Sequence, residues 1–271
     1  HFLIVVLGLG ANLALNVGVA LLQFTLSRDL GLQALGEASP EATLGANYGV
    51  YLSHGVFRVG ALMGHANLYA AYLALLLPIF ISLLFTSYRD WTKALFAALA
   101  AGGGITLVLT LSRAGWLSFA FAMLLLMAII FFHPALRSGH MTLKGGMLAA
   151  MVLAVLAAAG PIIRRLTQSD SGALDFRWEW MKIAWRMVVD QPLLGFGLNS
   201  FAYHMAHFAD YSVGKMIDLF GEVWPVVHNI YLLVWSEQGT LGLVLFLGLL
   251  TNVFWIAYQN LRTFINNRVF M

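Results

Sequence analysis

Six stretches of this sequence are long and apolar enough to cross a lipid bilayer as helices: Phe2–Phe24, Gly64–Phe85, Ala94–Leu111, Gly115–Phe132, Lys144–Ile163 and Asn229–Tyr258. A spanning helix needs about 20 predominantly apolar residues. Charged residues make up only 10% of the 271 residues and hydrophobic residues 61%, whereas a soluble domain carries about 25% charged residues. The sequence therefore predicts an all-α integral membrane protein, a polytopic helical bundle of about six spans.

The domain organisation follows from the one long segment between spans. We predict a single transmembrane domain over residues 1–271, with residues 164–228 as an extracytoplasmic helical loop within it. Because His1 lies inside an apolar run, without an initiator Met or the charged start of a signal peptide, we expect that further N-terminal helices precede it.

The sidedness is predicted from the short connections. Tyr88–Lys93, His133–Lys144 and the tail after Tyr258 share one side of a six-span chain, and all three carry Lys or Arg. The positive-inside rule weighs such short loops and discounts long ones. These connections are therefore predicted to be cytoplasmic, and residues 164–228 to lie on the opposite face.

The long segment contains an amphipathic helix over Asp175–Val189. Apolar side chains recur there at three- and four-residue steps with basic residues between them: Phe176, Trp180, Ala184 and Met187 against Arg177, Lys182 and Arg186. Pro192 should end this helix, and Gly195-Phe196-Gly197 should form a flexible turn. We expect the segment to lie on the membrane surface.

Three arginines on the predicted outer side are candidates for binding an anion. Arg113 stands between two apolar runs, where an arginine costs up to about 2.5–3.5 kcal/mol on insertion scales. A guanidinium grips phosphate oxygens in a bidentate manner; equally, Arg113 could snorkel to lipid phosphate. Arg177 and Arg58 are ambiguous alone: Arg177 could be a charge on the solvated face of its helix or a partner for Asp175.

Two residues near the last span are candidates for chemistry. His228, followed by Asn229, opens that span; a histidine can take a proton near neutral pH, although such a histidine is more often a hydrogen-bonded interface residue. Glu237 falls inside the predicted span, where a carboxylate is costly and serves either function or helix pairing.

Several site classes are excluded or weak. The chain has no cysteine, which rules out thiolate ligands and cysteine nucleophiles. His204 and His207 lack a third ligand in register, and no Walker-type glycine loop or basic run for nucleic acid is present. Gly102-Gly103-Gly104 is better explained by close helix packing. We therefore expect no metal, no cofactor and no nucleic-acid partner.

Five motifs in order resemble the bacterial O-antigen ligase/polymerase superfamily of membrane glycosyltransferases. They are Arg58-Val59-Gly60 followed by His65-Ala66-Asn67-Leu68; Leu111-Ser112-Arg113-Ala114-Gly115-Trp116; Arg177 with Trp180; Pro192-Leu193-Leu194-Gly195-Phe196-Gly197 with Asn199 and Phe201; and His228-Asn229-Ile230-Tyr231-Leu232 with Glu237, Gly239 and Gly242. The resemblance covers residues 58–245.

The resemblance implies a GT-C-like helical fold in the bacterial inner (cytoplasmic) membrane, with the active site on the periplasmic face. It implies metal-independent, inverting transfer of a saccharide from an undecaprenyl-diphosphate-linked donor to an acceptor hydroxyl. Arg113 and Arg177 would then bind the diphosphate and His228 would act as base, with Arg58, Asn229 and Glu237 as further substrate-binding residues. A lipid A–core acceptor, and so an O-antigen ligase, is favoured.

Other functions remain open at the level of sequence. A polysaccharide polymerase or a protein O-oligosaccharyltransferase would use the same donor chemistry. A transporter or flippase of the lipid-linked glycan would use the arginines without needing His228 as a base, and an assembly subunit would need neither.

Overall fold

A computed structural model describes residues 2–38, 52–53, 56–85, 88–132, 160, 163, 173–209 and 227–266. The helices within these ranges are α1 (Phe2–Leu26), α2 (Ala66–Leu83), α3 (Asp90–Leu109), α4 (Arg113–Phe132), α5 (Ala173–Asp190), α6 (Phe201–Phe208) and α7 (Ile230–Asn266), with a short 3₁₀ helix at Gln33–Leu35. Leu52–Ser53 (β1) and Val56–Phe57 (β2) form a two-residue antiparallel pair. The prediction of an all-α membrane protein is confirmed.

Within the ranges that the structure describes, four helices are long and apolar enough to cross a membrane: α1, α2, α3 and α7. The apolar part of the predicted fourth span is shorter and covers Arg113–Ile129. The predicted span Lys144–Ile163 lies outside the described residues except for positions 160 and 163. The count of six spans therefore stays a prediction.

The chain divides into two compact units, His1–Gln168 and Ser169–Met271. In the first, α2 packs against both α3 and α4, and α1 packs against α3. The α2 side chains Tyr69, Leu73 and Leu77 are fully buried, and a Cβ added at Gly103 of α3 would lie 2.5 Å from Leu77 Cδ2. The expectation that the Gly102–Gly104 run serves close packing is confirmed at Gly103.

The hairpin predicted around Arg113 is also present. The chain leaves α3 at Leu109 and enters α4 at Arg113, and Leu111 takes a left-handed conformation with φ of 51° in the turn. A Cβ at Gly115 would collide with Ala70 Cβ of α2, so this glycine lets α4 approach α2 closely.

The second unit is organised by the apolar face of α5. Ile183, Ala184 and Met187 are buried together with Phe201 and Met205 of α6. Trp178 and Trp185 of α5 are exposed, as expected for a helix with one apolar and one outward face. The amphipathic helix predicted over Asp175–Val189 is confirmed, and it ends at Asp190, two residues before Pro192.

Candidate functional site

Arg58 is buried within the first unit and contacts protein acceptors. Its Nε donates to the Thr110 carbonyl at 2.9 Å and its Nη2 donates to Asn67 Oδ1 at 2.9 Å. Asn67 belongs to the first turn of α2, whose N-cap is His65; His65 Nδ1 accepts from the Asn67 backbone N–H at 3.0 Å. Arg58 therefore braces the end of α3 against the start of α2. Its role in substrate binding stays a prediction.

The turn braced by Arg58 presents Arg113. Ser112 Oγ accepts from the Gly115 backbone N–H at 3.3 Å, the contact of an N-cap residue, so Arg113 is the first residue of α4 and is half-buried. Trp116 Nε1 donates to the Leu107 carbonyl at 2.9 Å and ties the hairpin together. The helix dipole opposes a cation at this position by about 0.3–1 kcal/mol. An anion bound here would gain from both the dipole and the guanidinium.

Arg177 and His228 interact electrostatically in the second unit. Val227, next to His228, packs in the same buried cluster as Trp180 of α5, and Arg177 precedes Trp180 by three residues, on the same side of the helix. Partial burial lowers the pKa of His228 from its ordinary value, and the positive charge of Arg177 lowers it further. The residue is nevertheless exposed. The arrangement yields an accessible imidazole whose neutral form is favoured by burial and by the neighbouring cation.

Asn229 caps the helix that follows His228. Its Oδ1 accepts from the Leu232 backbone N–H at 3.2 Å, and its backbone carbonyl accepts from Leu233 N–H at 2.9 Å. Such a cap stabilises a helix by about 1 kcal/mol. Asn229 thereby fixes where α7 begins and where His228 stands; substrate binding by Asn229 stays a prediction.

Glu237 holds a loop in place through both carboxylate oxygens. Oε2 accepts from Asn199 N–H at 2.9 Å and Oε1 accepts from Phe201 N–H at 2.9 Å. Hydrogen bonds to a charged acceptor are worth about 1.5–3 kcal/mol each. Glu237 is 7% exposed, and its hydrogen bond with Phe201 fixes the start of α6. Substrate binding by Glu237 stays a prediction.

The loop between α5 and α6 is fixed along α7, although Gly195-Phe196-Gly197 was predicted to be a flexible turn. Phe196 N–H donates to the Ser236 carbonyl at 3.2 Å and Gly197 N–H donates to the Glu237 carbonyl at 2.7 Å. A Cβ at Gly195 would lie 2.5 Å from the Glu237 backbone. The turn is thus a close backbone-to-backbone contact that only glycine permits.

The six candidate residues fall into two groups. The first unit brings Arg58 to the turn that carries Arg113, and the second unit brings Arg177 to His228, with Asn229 and Glu237 fixing the elements around them. The bracing hydrogen bonds of Arg58 and Glu237 were missed in the sequence. The sequence carried a partial signal for the ordered loop at Asn199. Asparagine is one of the residues that tolerate a positive φ, and Asn199 has a φ of 58° in the structure.

Residues 96–247, more than half of the chain, match the O-antigen ligase family. No curated protein and no solved structure shows significant similarity to the chain. The match runs from α3 into α7 and contains five of the six candidate residues: Arg113, Arg177, His228, Asn229 and Glu237. With its membrane-spanning helices, the chain belongs to the O-antigen ligase family, a family of O-antigen ligase/polymerase-type membrane glycosyltransferases.

Proposed function

We propose that this protein is an O-antigen ligase that transfers a saccharide from an undecaprenyl-diphosphate-linked donor to a hydroxyl of lipid A–core. We place this reaction at the periplasmic face of the bacterial inner membrane. The observation that carries the proposal is the accessible His228 imidazole, whose pKa is lowered by burial and by the charge of Arg177. A general base must be unprotonated at the working pH, and these influences favour that form.

In the proposed reaction His228 takes the proton of the acceptor hydroxyl. The hydroxyl oxygen attacks the anomeric carbon from the side opposite the diphosphate, and the bond between that carbon and the diphosphate oxygen breaks. The electron pair leaves with the diphosphate, the configuration inverts, and the proton remains on the imidazole until solvent removes it. One positioned base contributes about 10²–10⁴-fold to such a rate.

Arg113 and Arg177 each supply positive charge for the donor. A diphosphate is already a good leaving group, and its negative charge grows as the bond to the sugar breaks. A guanidinium that contacts the diphosphate stabilises this growing charge. Bidentate contacts to phosphate oxygens also orient the donor. Arg58 braces the turn that carries Arg113, and Asn229 caps the helix that follows His228; substrate binding by Arg58, Asn229 and Glu237 is part of the proposal.

The proposal is tested with the full chain in nanodiscs, supplied with an undecaprenyl-diphosphate-linked oligosaccharide. With lipid A–core as acceptor we expect a ligated product, and we expect a chelator to leave the rate unchanged. Products that form only with a second donor repeat unit, or only with a protein acceptor, would indicate a polymerase or a protein transferase instead. Movement of the donor between leaflets without a product would indicate a flippase.

Removing the charge of Arg177 should move the pH dependence of transfer. In Arg177→Gln the electrostatic influence on His228 is lost, so the pKa of His228 should rise toward its ordinary value of about 6.5. The acidic limb of the rate profile should then shift to higher pH, because the base becomes protonated earlier as pH falls. Burial, the larger cause of the lowered pKa, remains in the variant, so the shift should be partial.

The pKa of the ring can be followed by NMR, with its resonance identified by its loss in His228→Asn. Lys182→Gln is the matched control, since Lys182 lies on the same helix and pairs with Glu179 at 2.8 Å. An unchanged pKa of His228 in Arg177→Gln would contradict the electrostatic coupling.

A further inference from the structure

Helix α7 is longer than a membrane span requires. It covers the 37 residues Ile230–Asn266, and its candidate membrane-spanning part, Ile230–Asn260, covers 31. At 1.5 Å per residue, 31 residues extend about 46 Å, whereas the hydrocarbon core is about 30 Å thick. About ten residues of this apolar helix must therefore lie outside the hydrocarbon or be accommodated by tilt.

Gly239 divides α7 into two parts with different surroundings. Its backbone departs from helical geometry with φ of 66° and ψ of −172°. Before the kink, Val234, Ser236 and Glu237 are buried against the rest of the second unit. After it, the side chains are largely exposed and apolar, as at Leu245, and no charged residue occurs before Arg262. Only the part after Gly239 has the surface of a lipid-facing span.

The far end of this second part carries the residues of a membrane interface. Trp255 and Tyr258 are exposed and their rings lie 5.9 Å apart, and Arg262 follows one turn later. Trp and Tyr are enriched at headgroup level. From Gly239 to Tyr258 is 19 residues, or about 29 Å of helix, which matches the hydrocarbon thickness. With Tyr258 at headgroup level and the helix close to the membrane normal, Gly239 would stand at the level of the opposite interface.

The loop between α5 and α6 is attached to α7 at that same level. The Pro192 carbonyl accepts from Thr240 N–H at 2.8 Å, and Phe196 N–H donates to the Ser236 carbonyl at 3.2 Å. The loop has no charged residue over positions 192–198. Three of its residues are large, apolar and exposed: Leu193, Leu194 and Leu198, with exposures of 65%, 73% and 77%.

We propose that the leucine loop, residues 192–198, inserts into the bilayer at the interface, and that the hydrocarbon span of α7 begins at Gly239. The occupant of the exposed leucine surface is the acyl layer of the membrane. Backbone polar groups can approach hydrocarbon only when they are hydrogen-bonded, and α7 supplies partners to this loop through residues 236–241.

The insertion sets the height of His228. Ile230 precedes Gly239 by nine helical residues, about 14 Å, and the two non-helical steps from His228 to Ile230 add at most about 7 Å, so the His228 Cα lies at most about 21 Å beyond the hydrocarbon boundary. The inserted leucine loop would hold the start of α7 at a fixed depth. Movement out of the bilayer would expose the leucine side chains to water, and movement further into it would bury polar groups in lipid.

The insertion can be measured directly because the chain has no cysteine. Single-cysteine variants Leu194→Cys and Leu198→Cys, labelled with a nitroxide in nanodiscs of phosphatidylethanolamine and phosphatidylglycerol, report depth through their relaxation by oxygen and by an aqueous nickel chelate. Lys182→Cys serves as the water-facing reference and Leu245→Cys, about 9 Å along the helix from Gly239, as the reference within the span.

We expect the labels at 194 and 198 to be relaxed more by oxygen and less by nickel than the label at 182, and to lie shallower than the label at 245. Nickel accessibility equal to that at 182 would overturn the insertion. A depth equal to that at 245 would overturn the start of the span at Gly239. Low accessibility to both agents would mean that protein covers the loop, which also contradicts the proposal. None of these measurements depends on glycan transfer, so they stand apart from the proposed reaction.

Discussion

Replacing His228 with alanine should lower the rate of glycan transfer by about 10²–10⁴-fold, the contribution of one general base. The variant should still bind the donor, because the arginines proposed to hold the diphosphate are unchanged. The structural cost should be small, since His228 is exposed and the neighbouring Val227 and Asn229 keep their own contacts. Single-turnover transfer and donor binding, measured on the same preparation, separate the two effects.

The matched control is His207→Ala. His207 is an exposed histidine in the last turn of α6, and its removal should leave the rate unchanged. Transfer at the wild-type rate in His228→Ala would show that His228 is not the base. Retained donor binding with no transfer by wild-type protein under any acceptor condition would instead favour a transport role.

The parts of the fold that could be predicted from sequence depend on local patterns. The three- and four-residue spacing around Trp180 and Ala184 located α5, because a helix repeats its faces at that interval. The three residues Ser112-Arg113-Ala114 located the hairpin. They alone separate two apolar runs, so there is no room for a longer turn. The pair of strands at Leu52–Ser53 and Val56–Phe57 was missed, since two residues show no alternation.

The parts that could not be predicted depend on contacts between distant residues. Glu237 was expected to be a costly carboxylate inside a span, yet its partners are backbone N–H groups 36 and 38 residues earlier in the chain. Asn229–Tyr258 was expected to be one span, because hydropathy does not register the kink at Gly239. That kink exists where the Leu193 backbone approaches so closely that a Cβ at Gly239 would collide with it.

Arg113→Lys is the second variant for which a large loss is expected, because it keeps the charge and removes the planar fork. Lysine offers a point charge and cannot make the bidentate contact that a guanidinium makes with phosphate oxygens. Loss of one charge-assisted hydrogen bond costs about 1.5–3 kcal/mol, which corresponds to a fall in kcat/KM of about 10- to 150-fold. Expression and thermal stability should change little, since Ser112 still caps α4 and Arg58 still braces the preceding turn.

The same substitution at Arg89 provides the matched control. Arg89 also lies at the start of a helix, as the N-cap residue of α3, and its side chain is exposed; Arg89→Lys should therefore leave kcat/KM unchanged. Both arginines are charged and both lie at the start of a helix. A fall in kcat/KM in Arg113→Lys but not in Arg89→Lys would therefore reflect the geometry of the Arg113 guanidinium. Wild-type activity in Arg113→Lys would mean that a point charge suffices there, as it does for an arginine that snorkels to lipid phosphate. The diphosphate would then have to be held by other residues, of which Arg177 is the first to test by the same exchange.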